Sequence, residues 1–82
     1  MTWRKLLAKE VEQTMLSQRA VARKAGIAHS HLWNLMYGTK RLTAEVAVKL
    51  EKVIRLNCET YLRLQLEEEI AEAREIEGNY CS

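Results

Sequence analysis

Between residues 29 and 41 the chain gathers side chains suited to a polyanion: His29, Ser30, His31, Trp33, Asn34 and Tyr37, then Lys40 and Arg41. An Asn amide carries donor and acceptor side by side and can pair bidentately with adenine, and a Ser hydroxyl serves either sense of hydrogen bond. Lys and Arg suit phosphate oxygens. Ser17 and Gln18 stand where a helix begins, and backbone amides at a helix N-terminus attract phosphate, with Arg19 and Arg23 flanking them. His29 and His31 can donate to bases or phosphates, and the plain alternative of ordinary solvated imidazoles stands beside that reading. Trp33 has two readings, packing on a sugar or thymine methyl, or covering the edge of the domain. The two histidines lie two apart, the wrong spacing for one helical face, and no third ligand is near, so no metal site is expected. No Ser, Cys or carboxylate pair sits beside a His in a catalytic arrangement, so neither an enzyme nor a cofactor is expected.

The elements that must position these residues read as helices. Trp3, Leu6, Leu7 and Val11 recur at helical spacing from Thr2, a candidate N-cap, to about Thr14. Ser17 caps a second helix, with Leu16 placed to staple onto Val21 and Gly26 to end it. A third helix spans about His29 to Tyr37, with Leu32, Leu35 and Met36 inward and Gly38 as its stop. Thr43 caps a fourth, whose core side takes in Val46, Ala47, Leu50, Val53 and Ile54. Asn57 caps a fifth, from Cys58 to about Glu77, before Gly78. Its stripe of Leu62, Leu66, Ile70, Ala73 and Ile76, widened by Tyr61 and Leu64, outruns so small a body and marks an interface.

The 82 residues make one small domain rich in helix formers, with no Pro. No apolar run is long enough to cross a bilayer, and charged residues interrupt the N-terminal stretch, so a soluble cytoplasmic protein is expected. Cys58 and Cys81 are too few and too far apart for a disulfide framework or zinc site and read as reduced thiols. Charge is lopsided. Residues 1–55 carry eleven Lys and Arg against four Glu, whereas residues 56–82 carry two Arg against seven Glu. A basic half suits a polyanion, and an acidic tail suits a basic or self-associating partner.

The stretch Leu16 to Ile27 resembles the Xre/Cro-type helix-turn-helix family, with its Ser17-Gln18 start, small Ala22, turn Gly26 and apolar Ile27. Leu32, Leu35 and Gly38 match the recognition helix and its exit. The stretches Leu42 to Leu50 and Tyr61-Leu62-Arg63-Leu64-Gln65 resemble the HigA-type antitoxin subfamily, and Ile70 falls on an apolar position of that pattern. Three residues depart from it: Met15 and Arg55 stand where Gly is usual, and Cys58 where Pro is common.

The resemblance implies an all-α, five-helix fold of the Xre/lambda-repressor-like kind with an extended C-terminal helix. Residues 1–66 would be the DNA-binding domain and 67–82 the helical extension and short tail. It places His29, Ser30 and Asn34 at base-facing positions and Lys40 and Arg41 in a phosphate-clamping loop. It further implies a homodimer on a palindromic operator, nucleoid-associated, in which Tyr61, Leu62, Leu66, Ile70, Ala73 and Ile76 meet the second subunit or another partner. It implies repression and a cognate RNase toxin of the RelE class. Two alternatives remain open, a phage or mobile-element regulator without a toxin and an interaction module that has lost DNA binding. The run Glu67 to Glu69 reads either as a solvated face or as a contact for a basic toxin.

Overall fold

The computed structural model describes residues 2–80, with side chains over 2–77, and Cys81 lies outside them. Five helices are described: α1 (Trp3–Gln13), α2 (Gln18–Ala25), α3 (His29–Tyr37), α4 (Ala44–Glu51) and α5 (Cys58–Tyr80). Four of them start on the side-chain caps expected. Thr2 accepts from Lys5 N, Ser17 from Ala20 N and Thr43 from Val46 N, while Asn57 Oδ1 accepts from Thr60 N at 3.0 Å.

The turn between α2 and α3 is built by Gly26 at φ 78°. Its N–H donates to the Arg23 carbonyl at 3.1 Å, and the Ile27 N–H reaches back to Ala22 at 3.0 Å. These two bonds close a Schellman motif, which satisfies end carbonyls of α2 and swings the chain straight into α3. Any side chain at residue 26 would be strained by that φ, although nothing lies within 4 Å of where a Cβ would sit. The other tight turn, after α1, places Met15 at φ 64°, the one non-glycine residue with positive φ among those described. A left-handed conformation, the reason Gly suits such a turn, is met here by a strained Met, its side chain almost wholly in solvent.

The core fills from every helix. Trp3, Leu7, Val21, Leu32, Leu35 and Leu50 are its largest fully buried side chains. Ala22, 1 % exposed, sits in that cluster beneath the α2–α3 turn. Tyr61 is buried with them, and burial, aided by the Glu10 carboxylate, pushes its phenol up to about 12.

Two expectations need correction. The fourth helix ends at Glu51, with Lys52 as its right-handed C-cap. Val53 and Ile54 follow it in a turn whose N–H groups both donate to the Leu50 carbonyl, and Ile54 enters the core from there. Arg55 needs no left-handed conformation because the helix has stopped before it. Leu16, the residue placed to staple onto Val21, is 37 % exposed. The last helix runs on to Tyr80 rather than stopping near Glu77.

Candidate nucleic-acid interface

Helix α3 is amphipathic with little room for error, since nine residues make only two and a half turns. Leu32, Leu35 and Met36 are buried, which turns Ser30, Trp33, Asn34 and Tyr37 outward on one exposed face. His29 is exposed at the start of the helix, where Ala28 supplies no side-chain cap. Trp33 and Tyr37, one turn apart, pack ring against ring with centroids 5.7 Å apart and planes inclined at 57°.

His31 does not share this face. It is half-buried, and its Nε2 is enclosed without a hydrogen-bond partner. Burial lowers its pKa, and the Lys40 and Lys49 ammonium groups push in the same direction. A side chain 200° around the helix from His29 cannot join it in a groove, as their spacing of two residues implies.

Asn34 lies on the outward face, but its amide is engaged within the helix. Nδ2 donates to the Ser30 carbonyl at 3.0 Å, and a Cβ at Gly38 would collide with Oδ1. The Asn34 carbonyl accepts from Gly38 N at 3.0 Å and from Arg4 Nη1 at 3.2 Å, and the same Nη1 reaches the Leu35 carbonyl at 2.9 Å. Arg4 thus closes the C-terminal end of α3 from α1, bringing positive charge to the negative pole of the helix. Nothing local in the sequence announces a contact across thirty positions.

At the other helix of the motif, the Ser17 hydroxyl is occupied in capping α2, while Gln18 is half-buried and Arg19 exposed at its first turn. Arg23 and Lys24 are also exposed. Beyond α3 the loop carries Lys40 and Arg41, and the buried Gln65 side chain holds this loop in place. Its Oε1 accepts from Leu42 N at 2.6 Å, and its Nε2 donates to the Leu42 carbonyl at 2.9 Å. Arg41 itself is turned towards α5, with Nε 2.9 Å from Glu69 Oε1 and Nη2 3.0 Å from Oε2. The residue expected to clamp phosphate is held by a carboxylate in the isolated chain.

The α5 residues expected at an interface divide. Tyr61 belongs to the core of the single chain, 6 % exposed, and Leu62 is half-buried against that core. Tyr61 is therefore taken out of the candidate interface, because its ring already fills the subunit's own interior. Leu66, Ile70, Ala73 and Ile76 remain exposed. No group of three or more His, Cys, Asp or Glu able to hold a metal occurs among the described residues. Cys58 donates its thiol to Glu51 Oε2 at 3.1 Å, and burial together with that carboxylate raises its pKa. No helix among the described residues is long and apolar enough to cross a membrane.

Compared with known families, the chain matches the helix-turn-helix family model over residues 7–60. That span runs from Leu7 within α1 through α4, takes in the loop carrying Lys40 and Arg41, and ends in the first turn of α5. None of the curated proteins compared with the chain matches it.

Proposed function

Because the chain belongs to the helix-turn-helix family of the Xre/Cro type, a family of DNA-binding transcription regulators, we propose that it acts as a homodimeric repressor and as the antitoxin of a toxin–antitoxin pair. DNA binding rests on the family and on the exposed face of α3. The antitoxin role rests on the outer half of α5. Past Glu69 every described side chain is exposed, including Ile70, Ala73 and Ile76, and Glu72, Glu75 and Glu77 stand among them. Arg74 is the one basic residue among them, and Glu77 stands in the last turn, which holds no basic residue to answer the negative end of the helix dipole. An apolar row edged by net negative charge suits a small basic protein, such as a RelE-class RNase, through complementary charge. Dimerisation follows from arithmetic: one such domain reads too few base pairs for useful specificity, and a two-fold pair sets its recognition helices roughly 34 Å apart.

The test is co-expression with the product of the adjacent reading frame, comparing the full chain with one truncated after Glu69. The full chain should hold a small basic partner and suppress its RNase activity. The truncated chain should fold and bind operator DNA while losing the partner. Truncation that abolishes the dimer instead would assign the outer half of α5 to the subunit interface. If the full chain captures no partner, the runner-up reading of a regulator without a toxin takes its place.

A further inference from the structure

Helix α3 contains no Arg, Lys, Gln, Asp or Glu. The commonest specific contact to guanine, a bidentate Arg or Lys, is therefore missing from the helix that enters the groove, as is any carboxylate to accept from cytosine. Asn34, the one residue that can pair bidentately with adenine, must first break its bond to the Ser30 carbonyl to do so. On the outward face stand two large rings instead, Trp33 at 48 % and Tyr37, at the end of the helix, at 53 % exposure.

We propose that the Trp33–Tyr37 pair is the specificity-determining element of this protein and that it selects thymine by enclosing its 5-methyl group in the major groove. The methyl is the one apolar mark on a base edge, and it separates A·T pairs from G·C pairs where charged readers are absent. The tilted contact between the rings holds the two side chains against each other, so little rotamer freedom is lost when a methyl is enclosed. Arg4, tied to the Asn34 and Leu35 carbonyls, fixes the end of the helix from which the pair projects. Phosphate grip from Arg19 and Lys40 then supplies affinity, while the aromatic pair supplies selection.

This inference rests on DNA binding by α3, and the test separates the two. The native chain is used to enrich a duplex from a random pool, and each thymine of that duplex is replaced in turn by deoxyuridine, which removes only the methyl. Binding should weaken about three- to fivefold at one or two positions in each half-site, the worth of one buried methyl. Trp33→Ala and Tyr37→Ala should bind the thymine and uracil duplexes alike, with unchanged helical content and unchanged salt dependence. Two variants guard against one that fails to fold. A native chain indifferent to every such replacement overturns the proposal, as does retention of the thymine preference by both variants. A chain that enriches no duplex overturns the DNA-binding reading and this inference with it.

Discussion

The two halves of α5 share one backbone helix and almost nothing else. Over its first turns Tyr61 and Gln65 are buried, and Gln65 makes both of its hydrogen bonds to the Leu42 backbone. From Ile70 to Glu77 every side chain is exposed. The inner half is held by burial and by a polar clamp with two partners. The outer half is held by helix propensity alone, with Glu77 set against the negative C-terminal pole. Isolated helices of a few turns are marginal in water, because tertiary packing normally supplies most of their stability. A helix can thus pass from obligatory to optional within one turn, and here the change falls just past Glu69, whose carboxylate pairs with Arg41.

The sharpest way to break this contrast is to remove apolar bulk from the core that the inner half joins and, separately, from the outer half. Leu7 is fully buried, and Leu7→Ala should cost about 2–5 kcal/mol through lost transfer energy and the cavity left behind. Ile76 is 56 % exposed, and Ile76→Ala should change stability by less than about 0.5 kcal/mol. Urea unfolding midpoints of the two variants against the parent make the comparison. A loss at Ile76 similar to that at Leu7 would mean that the outer half is already packed in the free protein.

A second, smaller effect bears on what the sequence disclosed. Caps and punctuation were legible because each is a local rule: Thr2, Ser17, Thr43, Asn57 and Gly26 act within four residues of themselves. The binding face was partly legible for the same reason, since periodicity turns Ser30, Trp33, Asn34 and Tyr37 outward. The contacts that tune the face were not legible. Arg4 to Leu35, Gln65 to Leu42 and Arg41 to Glu69 span 31, 23 and 28 positions, and no local pattern encodes them. The engaged amide of Asn34 and the enclosed imidazole of His31 depend on neighbours that only the folded chain supplies. Met15 falls between these cases. Its departure from the family pattern was visible, and the structure adds the reason, a left-handed φ of 64°. Such a conformation costs a non-glycine residue about 1–2 kcal/mol, part of which Gly returns through the entropy of its unfolded chain. Met15→Gly should therefore raise stability by about 0.5–1 kcal/mol, read as a higher thermal midpoint with no change in operator affinity. A fall in the midpoint would show that the exposed Met side chain stabilises the turn by more than its φ costs.

The smallest expected effect sits at the junction itself. Arg41 and Glu69 make a two-point pair, but the Arg41 side chain is 73 % exposed, and exposed pairs contribute only about 0.2–1 kcal/mol. Its larger consequence lies in competition. An Arg41 guanidinium occupied by Glu69 must exchange one anion for another before it can grip a DNA phosphate. Glu69→Gln keeps the shape, removes the charge and frees the guanidinium. It should tighten operator binding by up to about fivefold at low salt, the same small energy read as affinity, with the gain shrinking as salt screens both interactions. Arg41→Ala should weaken binding to operator and non-operator DNA alike and lower the salt slope. The decisive comparison is the double variant. If the pair is the link between the two regions, Glu69→Gln should gain little once Arg41 is gone, and the two effects will not add. If the gain from Glu69→Gln survives in the Arg41→Ala background, the carboxylate acts on DNA directly through its charge. The inner and outer halves of α5 would then be joined at Glu69 by backbone alone.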